Sequence, residues 1–118
     1  MESAPASTAP KLSVLALVLT VVVALLNVGD VVLHVAIDQV EPLRVTGNAV
    51  VVVAALGMPM VAALRAPAVP ITAAAVNLVL NTVFIAVFGI GPLGAVLIAL
   101  TTVLLAAIAI VIRPSASR

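Results

Sequence analysis

Asp30, His34 and Asp38 follow one another at intervals of four residues in an otherwise mostly apolar stretch. Side chains four residues apart lie on one face of an α-helix, so each carboxylate is within reach of the imidazole. Histidine is the side chain that exchanges a proton near neutral pH, and a neighbouring carboxylate orients its ring. The spacing therefore indicates a proton relay or a metal site.

The competing interpretation is that these groups are solvated at the outer end of a helix. Structural zinc takes four ligands rich in nitrogen and sulfur, whereas this chain has one histidine and no cysteine. We therefore predict no metal and no cofactor. We also expect no enzyme, because no nucleophile shares the depth of His34 and no glycine-rich phosphate loop is present.

A line of polar residues at intervals of seven runs along the same stretch and consists of Ser13, Thr20, Asn27, His34 and Glu41. Such a line drifts by only about 20° per step around a helix, so its members stay on one side. Burying a polar side chain in lipid is costly, because lipid offers it no hydrogen bond. We therefore predict that this face points towards other helices.

Transmembrane helices are the elements that must position these residues. Of the 118 residues, 65% are hydrophobic and 8% are charged, which is far from the balance of a soluble domain. Prolines, glycines and charged residues divide the chain into four apolar runs, each about long enough to cross a bilayer core of ~30 Å. We predict an all-α membrane protein, an antiparallel bundle of four helices.

The predicted boundaries follow from the same breaks. A disordered tail occupies 1–10, a transmembrane domain 11–113 and a second tail 114–118. Within the domain the helices are expected at about 12–37, 42–64, 70–88 and 92–112. Pro59 lies inside the second helix and is predicted to kink it, as a hinge or as a static bend.

Basic residues predict the orientation in the membrane. With four spans, one side holds Lys11, Arg65, Arg113 and Arg118, whereas the other holds only Arg44. Because loops rich in Lys and Arg stay in the cytoplasm, both termini are predicted to lie on the cytoplasmic side of a cell membrane. The net charge of +1 provides no basic surface for nucleic acid.

Depth along the helices predicts which polar residues meet. At a rise of ~1.5 Å per residue, Asp30 and Arg44 come to similar heights of ~27 and ~28 Å. Asn27 and Asn48 likewise share a height of ~22 Å. We therefore predict contacts between the first two helices, with Asp30–Arg44 as a salt bridge or, alternatively, with Arg44 as an anion-binding group.

Asn77 and Asn81 lie four residues apart on the third helix, and Phe84 continues their face. The estimated heights place Asn77 level with Thr20, and Asn81 level with Thr101 of the fourth helix. Mid-membrane asparagines most often hold helices together through hydrogen bonds, although they can also line a transport path.

Two functions remain open from the sequence. The first is a small multi-pass membrane protein that acts through helix packing, as a homo-oligomer or as an accessory subunit of a membrane complex. The second is a small proton- or ion-coupled transporter or channel. Its candidate polar network or transport path consists of Asn27, Asp30, His34, Asp38, Arg44, Asn48, Asn77 and Asn81.

Overall fold

The computed structural model describes residues 12–112, so Lys11, Arg113, Arg118 and the two predicted tails lie outside the described residues. The described chain forms four long α-helices, α1 (Val14–Ala36), α2 (Pro42–Met60), α3 (Ala68–Phe88) and α4 (Pro92–Ile112), and a 3₁₀ turn at Ala62–Leu64. Each of the four helices is long and apolar enough to cross a membrane. The all-α class and the four candidate spans therefore agree with the sequence prediction.

The four helices pack in a ring. α1 contacts α2 and α4, and α3 contacts the same two neighbours. Apolar side chains that face the inside of the ring are fully buried, among them Val23, Val51, Met58 and Leu105. Large apolar side chains also cover the outside, where Leu93 is 67% exposed. Such an exterior suits contact with lipid rather than with water.

α1 begins after Ser13, whose Oγ accepts a hydrogen bond from the Ala16 N–H at 3.1 Å. This is an N-cap, in which a side-chain oxygen takes one of the amide hydrogens that a helix start leaves unused. Ser13 is exposed. The expectation that it faces another helix is therefore wrong.

The connection from α1 to α2 turns back tightly through Asp38. Gln39 N–H donates to His34 O at 2.8 Å, and Asp38 N–H donates to Val35 O at 3.2 Å. This pair of bonds defines a Schellman motif, whose turning residue takes the left-handed conformation. Asp38 is that residue, with a φ of 57°.

α2 begins at Pro42, directly after Glu41. The Oε1 atom of Glu41 accepts a hydrogen bond from the Leu43 N–H at 3.1 Å, which caps the helix. The proline at the first helical position costs no hydrogen bond, because the amides of the first turn have no partner within the helix. Ser13 and Glu41, the two ends of the line of polar residues at intervals of seven, are thus both helix caps.

The end of α2 corrects the predicted boundary. The helix ends at Met60 instead of reaching 64, and Val61 is extended, with φ −128° and ψ 112°. Pro59 lies one residue before the end, so it is part of a helix terminus and not of a kink between two helical halves. Arg65 then donates from Nε to Met58 O at 2.7 Å and from Nη2 to Pro59 O at 2.8 Å.

α3 begins at Ala68, two residues before the predicted start at 70, so that Pro70 falls within the first turn. A proline is tolerated there, because the amides of a first turn have no carbonyl partner inside the helix. At the other end, Gly89 follows Phe88 with a φ of 76°. A positive φ favours glycine, because glycine has no Cβ. Gly89 thus begins the tight turn between α3 and α4.

Candidate functional site

The buried ion pair between Asp30 and Arg44 lies at the centre of the site. Nη2 of Arg44 on α2 is 2.9 Å from Oδ2 of Asp30 on α1, as the depth estimates predict. Asn48, one turn further along α2, donates from Nδ2 to the same oxygen at 3.0 Å. Asp30 and Arg44 are each only 6% exposed. Because one helix holds both donors, the carboxylate fastens α1 to α2.

Arg44 also reaches the other two helices. Its guanidinium carbon lies 5.6 Å from the ring centroid of Phe84 on α3, within the range of a cation–π contact. On α4, a Cβ built on Gly94 would lie 2.8 Å from Arg44 Nη1. Gly94 therefore leaves the space that the guanidinium occupies. A single side chain thus meets all three neighbouring helices.

His34 is the partly exposed member of this cluster. Its Nδ1 lies 2.7 Å from the carbonyl oxygen of Asp30 and 3.2 Å from Oδ1 of the same residue, and the side chain is 26% exposed. Both neighbours are oxygen acceptors, so Nδ1 carries the hydrogen. In the neutral ring Nε2 then holds the lone pair.

The other two acidic groups of this region have backbone roles. Asp38 is the exposed residue of the Schellman turn, and Glu41 caps α2. Within residues 12–112, no group of three or more His, Asp or Glu side chains is arranged to hold a metal ion. The structure thus brings His34 and Asp30 together but assigns Asp38 to the turn.

Asn27 connects α1 to α4. Its Nδ2 donates to Oγ1 of Thr101 at 3.1 Å and to the backbone oxygen of Val23 at 2.9 Å. Similar depth suggested Asn48 as its partner, but the Asn48 amide is used by Asp30. Thr20, the next polar residue towards the start of α1, is buried and donates to Leu17 O in its own helix at 2.8 Å.

Asn77 and Asn81 form a buried pair on α3. Nδ2 of Asn81 donates to the Asn77 backbone oxygen at 2.8 Å and to its Oδ1 at 2.9 Å. They face Gly47 of α2, where an added Cβ would lie 2.5 Å from Asn77 Oδ1. The missing side chain of Gly47 therefore allows α2 to approach the asparagines closely.

These side chains surround a narrow internal space, which we call the core gap. It is lined by Asn27, Arg44, Asn48, Asn77, Asn81, Leu97, Ile98 and Thr101, and it leaves no room for a water-sized molecule. Two buried polar atoms among the described residues have no hydrogen-bond partner, Nε of Arg44 and Oδ1 of Asn81. Both residues line the core gap. The residues that line it therefore have one unused donor and one unused acceptor.

The structure thus places seven of the eight predicted residues in or beside one polar cluster, with Asp38 outside it. The structure adds four residues to the network predicted from the sequence, namely Thr101, Phe84, Gly47 and Gly94. Thr101 was expected level with Asn81, but it bonds to Asn27. Glycines beside polar residues in membrane helices are a known sign of close backbone approach.

Comparisons with known proteins add no assignment. The chain matches no protein-family model, no curated protein and no solved structure. Function must therefore be argued from the geometry of the polar cluster and of the helix surfaces.

Proposed function

We propose that this chain is a four-span membrane protein that acts through helix packing, as a homo-oligomer or as an accessory subunit of a membrane complex. The observation that carries this proposal is the closed polar core. Asp30, Asn27 and their partners bond across helix boundaries, and the space between the side chains admits no water. In lipid such bonds hold helices together and favour one arrangement of the bundle.

The proposal includes an antiparallel bundle with both termini in the cytoplasm, in a cell membrane. It is supported by the charge distribution, because with four spans the side of the termini holds Lys11, Arg65, Arg113 and Arg118, whereas the other side holds only Arg44. A reporter enzyme fused after Arg118 tests the orientation. Activity of the reporter in the cytoplasm is expected, and activity outside the cell would contradict the four-span arrangement.

A groove on the outside of the bundle provides a surface for a partner helix. It lies between α2 and α3, has a volume of about 600 Å³ and is lined almost entirely by apolar side chains. Several of these are small, including Ala49, Ala54, Ala68 and Ala73. Small side chains let another helix approach closely, which is how membrane helices gain packing energy.

The test is the composition of the particle extracted from its own membrane. Native mass spectrometry of protein purified in lipid nanodiscs should show either two or more copies of the chain or a second subunit. Ala49→Leu, which fills the groove, should shift the particle towards a single chain. Ala106→Leu, at an exposed site on α4 outside the groove, is the matched control and should not. A single chain in every preparation would contradict the proposal.

The second candidate function, a proton- or ion-coupled transporter or channel, is favoured by a separate observation. Nε of Arg44 and Oδ1 of Asn81 have no partner among the described residues, and both residues line the same internal space. Buried polar groups are rarely left without a hydrogen bond, and those that are often have a functional role. Proteoliposomes with a pH gradient test it. Proton or ion flux that disappears in His34→Ala is expected, whereas absence of flux for every common ion would contradict this candidate.

A further inference from the structure

Two hydroxyl groups lie in the groove between α2 and α3, whose other lining side chains are all apolar. They belong to Thr46 and Thr72, and both residues are exposed. Neither hydroxyl makes a hydrogen bond within residues 12–112. An acyl chain of a lipid offers a hydroxyl group no hydrogen bond, whereas polar side chains of another helix do. The two threonines therefore favour a protein helix over a lipid chain as the occupant of the groove.

A positive charge is fixed close to one end of this groove. Leu64 and Ala68, which lie on either side of Arg65 in the chain, both line the groove. The guanidinium of Arg65 donates to the carbonyl oxygens of Met58 and Pro59 at the end of α2. A helix that fills the groove therefore ends near this guanidinium.

The charge of the whole membrane side agrees with that of Arg65. With four spans, this side holds Lys11, Arg65, Arg113 and Arg118, and Glu2 is its only acidic residue in the sequence. A second copy of the chain in the same orientation would bring the same excess of positive charge to the same level. Like charges across an interface repel, and opposite charges attract. Charge complementarity therefore favours a partner that is not a second copy.

We propose that the groove between α2 and α3 binds a transmembrane helix of a different protein, with an acidic side chain at its cytoplasmic end. This inference rests on the proposed function, within which it selects the accessory subunit and not the homo-oligomer. The acidic side chain pairs with Arg65, and polar side chains along the partner helix bond to Thr46 and Thr72. The small side chains of the groove let the two proteins approach closely.

Site-specific crosslinking in native membranes tests the occupant. The sequence contains no cysteine, so Val53→Cys in the groove provides a single attachment point for a photoreactive group. Ile110→Cys on α4 is the matched control, because both positions are 69% exposed and Ile110 lies outside the groove. Mass spectrometry should identify one transmembrane helix of another protein, with Asp or Glu at its cytoplasmic end, crosslinked to position 53 and not to position 110.

Charge exchange tests the role of Arg65. Arg65→Gln should lower the crosslinking yield from position 53 by about two- to fivefold, the range expected for an exposed ion pair. Arg65→Lys keeps the charge and should retain most of the yield. Arg65→Glu should lower the yield further, and a lysine in place of the partner's acidic residue should restore it. Such a rescue would not occur if Arg65 only closed the end of α2.

Two exposed threonines of α3 provide a matched pair for the hydroxyl groups. Thr72→Val removes a hydroxyl from the groove and should lower the yield by about threefold, as expected for one hydrogen bond between membrane helices. Thr82→Val removes an exposed hydroxyl outside the groove, so the yield should be unchanged. Equal yields in the two variants would contradict a polar contact at Thr72.

Four crosslinking results would overturn the proposal. They are products with a second copy of the chain, products with lipid alone, a partner helix without an acidic residue at its cytoplasmic end, and equal products from positions 53 and 110. Native mass spectrometry separates this failure from that of the proposed function. A particle with two or more copies and no other protein would keep helix packing and remove the different partner, whereas a single chain in every preparation would remove both.

Discussion

Gly47 on α2 faces the Asn77 side chain on α3 so closely that an added Cβ would lie 2.5 Å from Asn77 Oδ1. The same methyl group would lie 3.3 Å from Nδ2 of Asn81, which is already held by two hydrogen bonds to Asn77. Neither amide can move away without giving up bonds inside the bundle. The contact between α2 and α3 therefore requires glycine at position 47.

Gly47→Ala should destabilise the bundle by about 1–3 kcal/mol, the usual cost of forcing extra volume into a packed core. The measurement is the free energy of unfolding in mixed micelles, from a denaturing-detergent titration followed by circular dichroism. Gly29→Ala is the control, because nothing lies within 4 Å of the added methyl group. A Gly47→Ala variant as stable as Gly29→Ala would contradict the close approach.

The ion pair of Asp30 and Arg44 should behave as a unit. Asp30→Leu leaves a buried guanidinium without its carboxylate, and Arg44→Leu leaves the carboxylate without its cation, so each should cost about 3–5 kcal/mol. The double variant removes both charges and should be clearly more stable than the sum of the two losses predicts. A double-mutant cycle of unfolding free energies measures this coupling. Simple additivity would show that the two charges do not depend on each other.

Much of the fold was predictable because apolar runs and prolines are local signals. Four apolar stretches are long enough for a bilayer, and Pro42, Pro70 and Pro92 each lie at or near the start of a helix. These signals define four helices even when their packing is unknown. Asp30–Arg44 was predictable too, since both residues lie close to the short connection between α1 and α2. Because Asp30 and Arg44 also have matching depths, few other partners are possible for either residue.

The remaining contacts depend on how the helices rotate and on which helix lies beside which. Depth alone places Asn27 and Asn48 at one level, but it does not show that Asn48 turns to Asp30 while Asn27 turns to Thr101. The position of Gly94 beside Arg44 requires the ring order of the helices in the same way. Rotation and ring order come from packing between distant segments, and no local pattern encodes them.

Arg65 was counted from the sequence only as a positive charge on the side of the termini, but it also closes α2. Its Nε and Nη2 donate to the carbonyl oxygens of Met58 and Pro59, at the negative end of the helix dipole. Arg65→Ala should therefore cost about 1–2 kcal/mol of unfolding free energy.

Arg65→Lys distinguishes the effect of the positive charge from the effect of the two hydrogen bonds. The ammonium group of lysine keeps the favourable charge but does not reproduce the two N–H donors of the guanidinium. About half of the loss in unfolding free energy should therefore remain. Amide hydrogen exchange provides the local measurement, and in the alanine variant it should accelerate at the amides of Val61 and Leu64, directly after α2. Unchanged exchange there would mean that the carbonyl bonds do not hold the helix end.

Asp38 is the left-handed residue of the turn between α1 and α2, with a φ of 57°. A β-branched side chain is strained in that conformation, so Asp38→Val should destabilise the protein by about 1–2 kcal/mol. Asp38→Gly should leave the stability unchanged or raise it, because glycine adopts positive φ without strain. The free energy of unfolding in micelles measures both effects.

Gln39→Val is the matched control for this turn. Gln39 is the next residue and is also exposed, and its φ is not positive, so valine is tolerated there. If Asp38 acted instead through its carboxylate on His34, glycine and valine would have the same effect at position 38. The turn geometry predicts opposite behaviour of the two variants, and equal losses in both would refute it.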